Sequence, residues 1–231
     1  MNPFKESSIR ISQEATEQSF YMGYPLKGKE TISAAQIDYL KHKLQDRNDI
    51  KPNAKDRMCF TLDLLMGLTE NRSRMDIVDI GCNTGIFTRI LAQGGNYVLG
   101  LDISPRKIEV AGREIKRLGN SIRFDVADAT KDIHRYAAPA SVDVCLCTEV
   151  LEHVPNYGDV IAQMGSIVKP GGWMLITVPN EGKVHDPGHI NIFTPESLQS
   201  NLEAYGEVNF HTPPDTHPYL NNWLFATVQR K

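Results

Sequence analysis

The sequence predicts an α/β fold: a doubly wound, mostly parallel sheet of seven strands with helices on both faces. Three observations carry this. Five short apolar runs alternate with stretches of helical period between residues 76 and 178. Each run is rich in Val, Ile, Leu or Cys at successive positions, as strands covered on both faces are. The chain then ends on two apolar runs with no helix between them, which reads as an antiparallel pair at the sheet edge.

Taken in order, the first fifty residues are polar, with a helix expected over 33–45, where Ile37, Leu40 and Leu44 recur at helical spacing. A second helix is expected over 54–68, with Met58, Leu62, Leu65 and Met66 on one face. The strands follow at Asp76–Ile80, 97–101, Ile122–Val126, 142–147 and 173–178. Between the second and third, Ser104 caps a helix opened by Pro105, with Ile108, Ala111, Ile115 and Leu118 as its stripe and Gly119 at its end. After the fourth, Asn156 is the expected cap of a helix that turns Val160, Ile161, Met164, Ile167 and Val168 inward. Lys169-Pro170-Gly171-Gly172 then stops it. In the tail, Thr194 caps a helix opened by Pro195, and strands are expected over 207–211 and 224–229. The boundaries drawn are residues 1–53, an N-terminal helical lid, and residues 54–231, the sheet domain.

Composition narrows the class. The chain has 231 residues, 41% hydrophobic and 23% charged, which excludes a disordered or collagen-like chain. No apolar run reaches the roughly 18 residues of a membrane span. The N-terminus lacks the basic and apolar regions of a secretory signal, so no leader is expected. Net charge is −3, from 25 Lys and Arg against 28 Asp and Glu, and this argues against nucleic acid as partner. The four cysteines are too few for a disulfide framework. Cys145 and Cys147 alternate within an apolar run and read as buried reduced thiols. A reducing, cytoplasmic setting follows as the expectation.

The chemistry-bearing segment is Val78-Asp79-Ile80-Gly81-Cys82-Asn83-Thr84-Gly85, after the first strand and before a helix. Gly81 and Gly85 permit tight turning and close backbone approach to a ligand. Asn83, between them, also tolerates a left-handed backbone. Asp79 precedes the loop, and a second acid, Asp102, ends the next strand about 20 residues on, where an acid binds both hydroxyls of a ribose.

With these residues the chain resembles the class I S-adenosylmethionine-dependent methyltransferases, from about Asp56 to the C-terminus. The resemblance implies a Rossmann-like fold and S-adenosyl-L-methionine as cofactor. It implies that Asp79, Gly81, Cys82, Asn83 and Gly85 wrap the methionine and ribose part. Asp102 would hold the ribose diol with Ile103 beside the adenine, and Asp128 and Ala129 would meet the adenine amino group. Thr148-Glu149-Val150-Leu151-Glu152-His153-Val154 resembles the motif after the fourth strand, with Thr148 and Glu149 toward the cofactor. Asn83 replaces the family's usual glycine. A nicotinamide dehydrogenase is the competing reading; it needs a third glycine where Ile86 stands.

Glu149, Glu152 and His153 stand at i, i+3 and i+4 and are expected to share a face on one short turn. Three readings stay open. His153 is a general base; or the three side chains hold a divalent metal, completed by His189; or Glu149 packs near the cofactor while the other two shape the turn. The metal reading resembles small-RNA 2′-O-methyltransferases and some ubiquinone-pathway O-methyltransferases. His189, in the polar loop over 180–191, is a catalytic candidate or a loop residue bonded to backbone; His185 reads as exposed. The aromatic cluster Phe20-Tyr21-Met22-Gly23-Tyr24-Pro25-Leu26 reads as a lid over the site, with packing on the sheet face or an oligomer contact as the alternatives.

The function expected is methyl transfer to a small-molecule acceptor, at a hydroxyl oxygen, with His153 as base. The alternatives are a metal-dependent methyltransferase of RNA terminal ribose and a non-catalytic binding domain. The identity of the acceptor and the oligomeric state are not legible in the sequence.

Overall fold

The computed structural model describes residues 20–21, 24–25, 31–113, 121–180 and 186–231, with backbone alone at 20–21 and 24–25. Phe20–Tyr21 (β1) and Tyr24–Pro25 (β2) pair antiparallel. Two helices follow, Ala34–Gln45 (α1) and Pro52–Leu68 (α2). Ser33 caps α1 with a capping box: Gln36 N–H donates to Ser33 Oγ (3.4 Å) and Ser33 N–H to Gln36 Oε1 (2.9 Å). Pro52 occupies the first turn of α2, where its missing N–H costs nothing.

The sheet strands are Asp76–Ile80 (β3), Tyr97–Asp102 (β4), Ile122–Val126 (β5), Val142–Thr148 (β6), Val168–Pro179 (β7), Gly206–Phe210 (β8) and Trp223–Arg230 (β9). The helices between them are Ile86–Gln93 (α3), Pro105–Arg113 (α4), Tyr157–Ile167 (α5) and Pro195–Leu202 (α6). The spatial order is β5-β4-β3-β6-β7-β9-β8. β3 to β7 run parallel, and β9 pairs antiparallel with both β7 and β8. The chain proceeds outward from β3 to β5 and then crosses to β6 on the other side of β3. That reversal opens a crevice at the carboxyl ends of β3 and β6.

Both faces are covered. Ile77, Val98, Val144 and Leu146 pack against α1, α2 and α3 through Leu40, Leu44, Leu62, Leu65 and Leu91. Val78, Ile80, Cys145 and Cys147 face the other way, against Ile161, Met164, Leu198 and Leu202 of α5 and α6. The alternation along each strand sorts residues into these two layers. All four cysteines are buried and free. No helix among the described residues is long and apolar enough to cross a membrane.

Three local readings change. β7 begins at Val168, so Val168 is a strand residue rather than the last inward position of α5. Val142 pairs with Val168 and Val144 with Trp173, so residues 169–172 are a bulge inside the ladder rather than a turn before it. Gly171 there has φ +78°, and a Cβ on Gly172 would lie 2.7 Å from the Asp143 carbonyl oxygen. Asn156 stands at the α5 cap without a side-chain bond to the helix. Thr194, by contrast, caps α6 with Ser197 as expected. Ile115, Leu118, Gly119 and His185 lie outside the described residues, as do the side chains of the aromatic lid cluster.

At the end of the sheet away from the crevice, Asp76 sits beside Asp143 and Lys169. Its N–H donates to Asp143 Oδ2 (2.8 Å), and Lys169 Nζ lies 3.0 Å from Asp143 and 3.5 Å from Asp76. Burial pushes the Asp76 carboxyl up to about 6; Lys169 opposes the shift and Asp143 adds to it. The native state therefore holds this proton more tightly than the unfolded chain. The stability it contributes is full below the unfolded value and is lost as pH rises through about 6. Asp76→Asn cannot titrate. Its melting temperature minus that of wild type should climb between about pH 4 and 7 and then level off; a difference independent of pH would contradict the assignment.

Candidate active site

The loop between β3 and α3 follows a path that few residues tolerate. Gly81, Asn83 and Gly85 all have positive φ, at +73°, +54° and +74°. A side chain on Gly81 would strike Val150, and one on Gly85 would strike Phe124. Asn83, the departure from glycine, is of the type that accepts this conformation. The loop is tied to the end of β4. Gly81 and Cys82 N–H groups donate to the Leu101 carbonyl (2.7 and 3.0 Å), and Asn83 N–H donates to Asp102 Oδ2 (3.0 Å). Asp102 Oδ1 accepts Ser104 N–H at 2.9 Å, and Lys107 Nζ lies 3.9 Å from Oδ2. Behind the loop, Asp79 is buried and accepts the Thr88 hydroxyl at 2.6 Å; burial pushes its carboxyl up to about 6.

Two adjoining clefts open here. The larger, about 810 Å³, is lined by Gly81, Asn83, Asp102, Ile103, Asp128, Ala129, Glu149, Val150 and His153, among others. The smaller, about 360 Å³, is lined by Asp49, Arg57, Met58, Asp79, Gly81, Cys82, Asn83, Thr148, Glu149 and Thr177. Gly81, Asn83 and Glu149 belong to both, so the loop forms their shared wall. Of the residues expected at the cofactor, only Gly85 lines neither; it opens α3 against Phe124 and shapes the loop. Ile103 is 69% exposed in the larger cleft, an apolar face without a partner. Asp128 is more committed than expected. It binds Lys131 Nζ at 2.8 Å and the Thr130 N–H and hydroxyl at 3.0 and 2.7 Å, and these hold its carboxyl down near 2.

The Glu149–Glu152–His153 cluster does not share a helical face. Glu149 has φ +57°, which ends β6 and sends its side chain elsewhere. Its carboxylate accepts Trp223 Nε1–H (2.7 Å) and the Thr177 hydroxyl (3.3 Å), and Arg57 lies 3.4 Å away. Burial pushes its pKa up, with Arg57 the main opposing influence. The 3-10 turn that follows covers only Leu151–His153.

His189 takes the place in the cluster that was drawn for Glu149. Ile190 and Asn191 N–H groups donate to the Glu152 carbonyl (2.8 and 3.1 Å). The Asn191 amide donates to the Leu151 and Val154 carbonyls (2.8 and 2.7 Å). These bonds staple residues 186–191 to the turn and set the His189 ring 5.0 Å from that of His153. Glu152, His153 and His189 each present a ligand atom within 4.8 Å of the others. His153 Nδ1 lies 2.8 Å from the Gly188 carbonyl, which can only accept, so the proton sits on Nδ1 and Nε2 carries the lone pair. That Nε2 is 3.9 Å from Glu152 Oε1. Glu152 is 1% exposed, neither oxygen has a hydrogen-bond partner among the described residues, and burial, with the charge of Glu149, pushes its carboxyl up to about 8.

Arg57 and Trp223 were not found from sequence. Arg57 is one basic residue on a helix, and Trp223 lies 74 residues from Glu149 with no spacing to mark it.

Comparison with known proteins agrees with this geometry. A family described as a methyltransferase domain matches residues 53–211. Over 148 residues the chain is 32% identical to the ubiquinone biosynthesis O-methyltransferase of Burkholderia orbicola, covering 60% of this chain and 63% of that protein. Over 104 residues it is 35% identical to the protein of the same description from Thiobacillus denitrificans, covering 45% and 44%. These matches thus span about half of those relatives' length. Among solved structures, the N-methyltransferase NodS of Bradyrhizobium japonicum, in complex with S-adenosyl-L-homocysteine, has the same fold with a TM-score of 0.63 at 19% identity, over 84% of this chain and 98% of that one. The PH0226 protein of Pyrococcus horikoshii gives 0.63 at 17% identity, over 84% and 99%. The chain belongs to the methyltransferase-domain family, in its class I, S-adenosylmethionine-dependent form.

Proposed function

We propose that this protein transfers a methyl group from S-adenosylmethionine to a hydroxyl oxygen of a small-molecule acceptor, with His153 taking the hydroxyl proton. The observation that carries the proposal is the His153 ring on the cleft wall, its Nδ1–H held by the Gly188 carbonyl and its Nε2 lone pair free to accept. The relatives' description as O-methyltransferases supports oxygen as the accepting atom.

The clefts fit the cofactor. The larger takes the adenosine: Asp102 has lone pairs left for the ribose diol, Ile103 and Ala129 flank the base, and Asp128 keeps an acceptor for the adenine amino group. The smaller takes the zwitterionic methionine end, with Arg57 for the carboxylate and the acids Asp79 and Glu149 toward the ammonium. When bound, the cofactor supplies a sulfonium-activated methyl for in-line displacement, the electron pair returning to sulfur. The protein's own part is to hold the acceptor in line and remove its proton. Nε2 of His153 receives that proton, the ring held in place by the Nδ1 contact to the Gly188 carbonyl. Residues 1–53 as a lid over the site and residues 54–231 as the methyl-transferring domain remain part of the proposal.

One observation favours a second reading, in which Glu152, His153 and His189 hold a divalent cation. A buried carboxylate with both oxygens unpartnered is costly unless something cationic meets it. A histidine that donates its other ring N–H to a carbonyl is also oriented as metal ligands are. Glu149, engaged by Trp223, stands outside that set.

Two outcomes test the function. Asp102→Ala should weaken S-adenosylmethionine binding by about 1.5–3 kcal/mol, the range for charged hydrogen bonds; unchanged affinity by calorimetry would remove Asp102 from the site. His153→Ala should lower turnover roughly 10²–10⁴-fold on a hydroxyl acceptor of high pKa, with cofactor affinity nearly constant. Under the metal reading, Mg²⁺, Mn²⁺ or Zn²⁺ should raise the melting temperature of wild type but not of Glu152→Gln. Full activity of a folded His153→Ala protein would sink both readings.

A further inference from the structure

Trp223 joins three elements behind Arg57 and Glu149, which line the smaller cleft. It opens β9, where it pairs with Pro179 of β7, and the turn before it is pinned by Asn180 N–H to the Asn222 carbonyl (2.8 Å). Its indole N–H donates to Glu149 Oε2 at 2.7 Å, from the end of β6. Its ring carries the guanidinium of Arg57, from α2, 4.6 Å from the centroid. Arg57 and Glu149 are themselves 3.4 Å apart, longer than the roughly 2.7–2.9 Å of a tight charge-assisted bond. The indole therefore does two things. It holds one carboxylate oxygen that would otherwise draw the guanidinium into a closed two-pronged pair, and it supports the guanidinium from beneath, leaving its other donors for the cleft.

We infer that Trp223 is a positioning residue: by holding Glu149 through its N–H and Arg57 on its ring face, it keeps the guanidinium presented to the carboxylate of the ligand's methionine end. The inference rests on the cleft reading above. The competing view is that Trp223 only packs, beside Phe225, Leu220, Phe60 and Leu64. Trp223→Phe separates the two, because it keeps an aromatic ring and removes the N–H.

Two probes read the effect by calorimetry. S-adenosylhomocysteine carries the amino-acid end; 5′-methylthioadenosine shares the adenosine and lacks that end. Trp223→Phe should weaken S-adenosylhomocysteine about tenfold and leave methylthioadenosine unchanged. In an Arg57→Ala background the same change should cost nothing further, because the residue it acts through is gone. Unchanged S-adenosylhomocysteine affinity, or an equal loss for both probes, overturns the inference. If wild type binds neither probe, the cleft reading itself fails.

A second measurement avoids any change at Trp223. The chain has two tryptophans, so Trp173→Phe leaves Trp223 as the sole indole fluorophore. Its emission should respond to S-adenosylhomocysteine and not to methylthioadenosine. No response to S-adenosylhomocysteine, or the same response to both, contradicts the proposed role.

Discussion

The hydrogen bond from Asn83 N–H to the Asp102 carboxylate is the constraint on which the site depends. It ties the loop after β3 to the end of the neighbouring strand while the loop runs through three left-handed residues. Such a path costs free energy unless its surroundings over-determine it. Here Val150 and Phe124 occupy the space that side chains at Gly81 and Gly85 would need, and the Leu101 carbonyl takes two loop N–H groups. Asp102 serves both purposes at once. Its backbone continues β4, and its carboxylate is held by Asn83 and Ser104 with lone pairs to spare for the crevice. The glycine loop and Asp102 are one construction, placed by the crossover from β5 to β6.

Around that construction the carboxylates are treated differently, and the differences divide the labour. Asp79 is buried, bonded to Thr88 and kept within the wall. Glu149 is half-buried and satisfied by an indole, a hydroxyl and a guanidinium. Glu152 is buried beside two imidazoles, with neither oxygen bonded among the described residues, an environment that favours a proton or a cation. The left-handed backbone at Glu149 separates the last two. Three residues apart in sequence, they meet different partners: Trp223, Thr177 and Arg57 for Glu149, His153 and His189 for Glu152.

Much of this was legible before any coordinates. β3 and β5 fall where the apolar runs place them, because a strand covered on both faces cannot hide its composition. The left-handed path of the glycine loop and the Thr194 cap follow from local chemistry that needs no distant partner. The failures have one cause. Residues 169–172 looked like a stop because Pro and Gly break regular structure, yet the ladder resumes on the same strand beyond the bulge. Spacing alone puts Glu149 on a helical turn with Glu152 and His153, and a single positive φ takes it off that turn. Arg57, Trp223 and the seating of His189 depend on contacts between segments far apart in the chain. No local pattern encodes those.

The central claim is that the two adjoining clefts, joined at the loop that the Asn83–Asp102 bond ties to β4, together hold S-adenosylmethionine with its methyl end toward His153. A crystal structure of the protein with S-adenosylhomocysteine tests it most directly. The account predicts the ribose diol on Asp102, the base between Ile103 and Ala129, the amino-acid end beside Arg57, and the sulfur on the side of the cleft that His153 lines. Density for the ligand elsewhere, or in this cleft with the adenine at Arg57 and the amino-acid end at Ile103, would contradict it.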